Sequence, residues 1–161
     1  MSDDDVEIIT PPNPLKSKVT VGGPGAVDPQ ALERAEKAIA SMTDDYLDWV
    51  RQDLIKIDAA FDALRNAEGE RKDELDAVFQ LAHDIKGQGG SFGYDLMTAL
   101  GNQLCRLIER LDHCDDDVVD AIGVHIDSMK MVIGQDLKGD GGAVGEKMLA
   151  GLEKVYEKVL K

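Results

Sequence analysis

The sequence predicts an all-α fold: an antiparallel four-helix bundle with an extra short helix before it and a further helix after it. Three observations carry this. Apolar residues recur at steps of three and four, and nowhere in the 161 residues do they alternate as a half-buried strand requires. Aromatic residues make up only 4% of the chain, so Ala, Leu, Ile, Val and Met supply the apolar mass, which suits helices packing on helices. The segments between periodic stretches are short, and short connections make neighbouring helices antiparallel.

The elements follow in order. Residues 1–27 hold four of the five prolines, three glycines and the acidic trio Asp3, Asp4 and Asp5, with no apolar period, so a flexible tail is expected. Asp28 and Pro29 supply an N-cap and a proline at the first helical position, opening a short helix to about Ala40. Ser41, Met42, Thr43 and Asp44 form a second capping site. From Tyr46, the positions Leu47, Val50, Leu54, Ile57, Phe61 and Leu64 mark one face of a long helix ending near Asn66. Ala67 to Glu70 is the turn. The next helix carries Leu75, Val78, Phe79, Ala82 and Ile85 and runs to about Gly90, where Ser91 to Tyr94 make a tight connection. Asp95 can cap a helix bearing Leu96, Leu100, Leu104, Leu107 and Leu111. Asp115 to Asp117 cap another, with Val118, Ile122, Ile126, Met129 and Ile133. Gly139 to Gly142 break the chain before a last helix from about Val144 to Leu160. The expected helical domain is thus 28–161, with its core bundle at about 44–136 and a C-terminal extension at 143–160.

Composition narrows the function. A formal net charge of −14 argues against nucleic acid and against anionic membrane surfaces, since both are polyanions. No apolar run reaches transmembrane length, and the start Met1-Ser2-Asp3-Asp4-Asp5 lacks the basic and apolar regions of a signal peptide, so a cytoplasmic protein is expected. Two cysteines, Cys105 and Cys114, fit a reducing compartment.

Residues 82–93 are the most informative. Within Ala-His-Asp-Ile-Lys-Gly-Gln-Gly-Gly-Ser-Phe-Gly, His83, Lys86, Gly87 and Gly90 are spaced i, i+3, i+4 and i+7, which places them along one helix face. That face offers a nucleophilic ring nitrogen, a cation one turn away, and bare backbone where a partner must approach. Glycines inside a helix each cost about 1 kcal/mol relative to alanine, so helix stability did not place them. An ordinary imidazole, with a pKa of about 6.5, is mostly neutral at pH 7 and can attack phosphorus. Phosphoryl transfer asks mainly for in-line positioning and charge stabilisation, and a lysine ammonium follows phosphate oxygens as a point charge. Gln88 and Ser91 are polar neighbours with no assigned contact.

On these residues, the stretch from Leu81 to Leu111 resembles the histidine-containing phosphotransfer (HPt) domain of two-component phosphorelays. The resemblance implies a four-helix bundle over roughly 44–136 in which His83 is the phosphoacceptor and Lys86 stabilises the phosphoryl group. Gly87 and Gly90 would leave room for a receiver domain, and Gly93 would close the turn. Phe79 and Leu75 precede His83 at helical spacing, which fits either the core or, on the docking face, an apolar patch around the site. The family often places Gln or Glu twenty-two residues after the histidine to hold the second ring nitrogen. Counted without gaps that position is Cys105, a poor hydrogen-bond partner, while Gln103 points to another side of its helix, so the orienting residue is left open. The implied protein is a monomeric phosphocarrier between response-regulator receiver domains, fed by a hybrid histidine kinase. It has no ATP-dependent activity, metal or bound cofactor of its own, and the magnesium sits in the partner receiver.

Other readings are weaker. A dimeric kinase-type phosphotransferase hairpin fits Asp84 after the histidine, but Gly87-Gln88 stands where its proline belongs. A non-catalytic helical adaptor would leave His83 unlabelled. Glu109, His113 and Cys114 adjoin but cannot assemble a four-ligand zinc set, and Lys138 and Lys147 spoil a calcium loop at Asp136 to Asp140. Gly139 to Gly145 lacks the Gly-Lys-Ser/Thr of a phosphate-binding loop and reads as a linker.

Overall fold

The structure, a computed structural model, describes Gly25 and residues 27–161. The tail expected over 1–27 lies outside them, apart from Gly25 and Val27. Five α-helices and no strand are present among the described residues: α1 (Pro29–Asn66), α2 (Lys72–Gly89), α3 (Asp95–Glu109), α4 (Asp116–Gly134) and α5 (Gly142–Val159). A 3-10 turn, Gly90–Phe92, joins α2 to α3. The chain divides into two units, one ending at Ala38 and the other running from Ile39 to Lys161.

In the first unit, Asp28 caps α1 as its sequence suggests. The Gln30 amide donates to the Asp28 carboxylate at 3.0 Å and the Leu32 amide to the Asp28 carbonyl at 3.0 Å. The expected separate short helix to Ala40 is not formed: α1 continues through Ser41 to Asp44 as one helix of 38 residues. Those four residues include neither Gly nor Pro, so nothing forces the chain out of the helix. Thr43 satisfies its hydroxyl by donating back to the Ile39 carbonyl at 3.4 Å.

The second unit holds the core. Tyr46, Val50, Leu54, Ile57 and Leu64 of α1 are buried, on the stripe the periodicity marks. Val78, Ala82 and Ile85 of α2 join them, with Leu100, Leu104 and Leu107 of α3 and Ile122, Ile126 and Met129 of α4. Burying side chains of this size contributes roughly 1.5 to 3 kcal/mol each, which drives the four faces together. Leu152 and Tyr156 pack α5 onto the same core, and Arg106 and Arg110 lie over the Tyr156 ring at 5.4 and 6.0 Å. Asp115 caps α4 by accepting from the Val118 amide at 3.0 Å. Asp95, in contrast, is the first residue of α3, and its N-cap Tyr94 has no capping side-chain bond. The last helix begins at Gly142, two residues before the position its sequence suggests.

Polar ties cross the second unit. Lys130 of α4 bridges Asp58 of α1 and Asp127, both at 2.9 Å. Arg71, in the left-handed region at φ 57°, donates to the carbonyls of Ala67 and Cys114 and to the Asp116 carboxylate, closing the loop end opposite the α2–α3 turn.

Candidate functional site

Helix α2 has two distinct faces. Val78, Ala82, Ile85 and Gly89 are buried, while His83, Gly87 and Gly90 are exposed and Phe79 and Lys86 lie half-buried at the margin. The motif residues therefore share the outward face, as their spacing predicts. The His83 ring sits beside Phe79, with centroids 6.1 Å apart and planes tilted by 32°. Among the described residues neither the His83 ring nor the Lys86 ammonium has a hydrogen-bond or ion-pair partner. Lys86 lies in the last turn of α2, where a cation also meets the negative end of the helix dipole.

The glycines divide by role. A β-carbon on Gly87 would meet nothing within 4 Å, so this position opens onto free space beside His83. On Gly90 it would make ordinary contacts, 3.5 Å from the Asp95 carboxylate and 3.6 Å from the Thr98 hydroxyl. Gly93 closes the turn at φ 80°, a conformation that a side chain would strain. Its carbonyl accepts from the Gly139 amide at 2.6 Å, and the Gly139 carbonyl accepts from the Leu96 amide at 2.8 Å, so the linker before α5 pins the turn. The Tyr94 hydroxyl donates to Asp136 at 2.5 Å, and burial, reinforced by that carboxylate, pushes the phenol's pKa up. Phe92 stacks on Tyr46 at 4.6 Å and meets Trp49 edge-on at 6.5 Å, which anchors the 3-10 turn to α1.

Three residues of the site were not picked out by the motif. Gly89 is buried, and a β-carbon there would come 2.8 Å from the Tyr94 carbonyl oxygen. Gly101 of α3 is buried beneath Lys86. Thr98 bonds to α2 through its hydroxyl. Gly89 and Gly101 each lie four residues after a buried apolar residue, Ile85 and Met97, and that spacing signals the inner face. Nothing in the sequence announces Thr98.

The position left open stays without a partner for the imidazole. Cys105 is buried and 3% exposed, and no hydrogen bond joins it to His83. Burial pushes its thiol pKa up, with Lys86 pulling the other way. Gln103 faces α5, donating to the Leu149 carbonyl at 3.4 Å and to Glu153 at 3.3 Å.

Alongside the site, Leu75, Phe79 and Ile108 line a shallow apolar groove of about 290 Å³, edged by Lys72, Asp76 and Glu109. A second cleft of about 340 Å³, at the Glu70 and Cys114 loops, contains none of the motif residues. His113 pairs with Asp115 at 3.4 Å, and among the described residues no three His, Cys, Asp or Glu side chains are grouped to hold a metal. No helix among the described residues is long and apolar enough to cross a membrane.

The family model described as Hpt domain matches residues 41–131, more than half of the chain and all of α2, the turn and α3. Comparisons with curated proteins and with solved structures give no match. The matched span contains the whole of the exposed histidine face and most of the helices that support it. The chain therefore belongs to the Hpt domain family, the histidine phosphotransfer modules of phosphorelays.

Proposed function

We propose that this protein is a phosphohistidine carrier of a multi-step phosphorelay, with His83 as its phosphoacceptor. The observation that carries the reading is the exposed His83 ring, one turn from a Lys86 ammonium that has no partner among the described residues and next to a Gly87 position that opens onto free space. A lone-pair nitrogen of the imidazole attacks the phosphorus of a receiver's aspartyl phosphate. The N–P bond forms as the P–O bond to the aspartate breaks, and the carboxylate leaves. The reverse step delivers the group to a second receiver. Lys86 offsets the charge of the arriving phosphoryl group, and Gly87 and Gly90 let the receiver's backbone come close. Phe79, with Leu75 and Ile108, gives the receiver an apolar edge to dock on.

The partners are then response-regulator receivers and the hybrid kinase that charges the first of them, acting in the cytoplasm. Magnesium belongs to the receiver's acidic pocket. Cys105 is buried and makes no hydrogen bond to the His83 ring, which leaves the neighbouring Phe79 ring as the side chain that orients the imidazole.

The test mixes purified protein with phosphorylated receivers. Label should move to the wild-type chain as an acid-labile, base-stable phosphoramidate and should be absent from His83→Gln, whose helix content should be unchanged. His113→Gln and His125→Gln should accept label as the wild type does. Wild-type labelling of His83→Gln would sink the assignment.

A further inference from the structure

Thr98 is spliced into the main chain of the helix that carries His83. In an unbroken helix the Gly90 amide would donate to the Lys86 carbonyl, four residues back. Here the Gly90 amide donates to the Thr98 hydroxyl at 2.9 Å, and that hydroxyl donates to the Lys86 carbonyl at 3.0 Å. A side chain from α3 thus stands inside the hydrogen-bond ladder of α2, where the α-helix gives way to the 3-10 turn.

The surroundings leave this hydroxyl little freedom. Gly89 faces it so closely that a β-carbon there would lie 3.0 Å from the Thr98 oxygen. One turn further along α3, a β-carbon on Gly101 would lie 2.8 Å from the Lys86 β-carbon. The main chain of Lys86 is therefore held against α3 by a hydroxyl on one side and a bare backbone on the other.

We propose that Thr98 is a positioning residue for phosphoryl transfer: its hydroxyl fixes the Lys86 main chain and so sets where the lysine ammonium meets a phosphoryl group on His83. This rests on the roles proposed above for His83 and Lys86. Thr98→Val keeps the shape and removes the hydroxyl, leaving the Gly90 amide and the Lys86 carbonyl facing one another across the gap. Their simplest repair is the direct helical bond, which draws Gly90 in and turns the end of α2. The Lys86 side chain then departs from a shifted backbone. Thr98→Ser keeps the hydroxyl and the splice.

The experiment follows transfer from a phosphorylated receiver to the full-length chain by rapid quench, with thermal unfolding in parallel. Wild type, Thr98→Val, Thr98→Ala and Thr98→Ser are each measured with Lys86 present and with Lys86→Ala. Displacing a positioned group by a fraction of an ångström to an ångström costs roughly tenfold or more in rate, so Thr98→Val should slow transfer by about that factor. Thr98→Ser should stay within about twofold of wild type, and with Lys86→Ala the valine change should add little, because the two residues act through one contact. If the valine variant does not fold, Thr98→Ala carries the same expectation. A folded variant without the hydroxyl that transfers at the wild-type rate overturns the inference, as does an equal fold-loss with and without Lys86. A wild-type chain that accepts no label from any receiver overturns the His83 reading and this inference with it.

Discussion

A β-carbon on Gly101 would come within 2.8 Å of the Lys86 β-carbon and 3.1 Å of the Ala82 carbonyl oxygen. The backbone of α3 is thus the floor on which the helix carrying His83 rests, and that floor carries no side chain at Gly101. Gly101→Val should push the two helices apart. The gain in helix propensity is under 1 kcal/mol, whereas overpacking a tight contact costs about 1 to 3 kcal/mol. Net destabilisation is expected in thermal unfolding, along with slower phosphoryl transfer. A variant melting at or above the wild-type temperature would mean the helices can separate here at no cost.

Gly87 is the opposite case, since its missing side chain would project into open space. Gly87→Leu should leave the fold intact and raise helix stability by up to about 1 kcal/mol. Transfer from a receiver should nevertheless slow severely, by exclusion of the partner. Normal rapid-quench kinetics with leucine at this position would show that the bare face does not serve docking.

Lys86→Ala should slow phosphorylation of His83 by roughly tenfold or more, because a charge-assisted contact of this kind is worth about 1.5 to 3 kcal/mol. Lys86→Arg is not expected to restore the full rate, since its planar fork is longer and differently shaped. Transfer rates at saturating donor decide the matter, and an alanine variant as fast as wild type would remove Lys86 from the chemistry.

His125 predicts an acid sensitivity remote from the site. It is completely buried in α4, its Nδ1 lies 2.7 Å from the Ala121 carbonyl oxygen, and its Nε2 has no partner among the described residues. Burial lowers its pKa from the ordinary 6.5, with the Ala121 carbonyl and Glu153 opposing. The folded chain thus binds this proton less readily than the unfolded chain does. Its contribution is fully present above pH 6.5 and is lost as the pH falls below that value towards the lowered pKa. Urea unfolding at pH 7.5 and 5.5 should show wild type losing more stability on acidification than His125→Phe. Equal losses would show that the histidine is solvated or paired in the folded state.

Much of this protein was legible in its residues because the signals are local. The three-and-four spacing from Tyr46 to Leu64 marks the buried stripe of α1, and Asp28 and Asp115 cap the helices they precede. The spacing of His83, Lys86, Gly87 and Gly90 also fixes their common face before any packing is known. Capping propensity at Ser41 to Asp44 misled, because such residues end a helix only if something else turns the chain, and no glycine or proline does so there.

What the tertiary structure alone decided is how closely α2 approaches α3. That distance depends on how two helices cross, and residues on different helices carry no periodic sign that they will touch. Hence Gly89 and Gly101 became contact points, Thr98 entered the ladder of α2 at Lys86, and Cys105 was buried in the core with no hydrogen bond to the imidazole. The sequence determined which residues of α2 share the outward face. The packing of α3 against them determined how rigidly they are held.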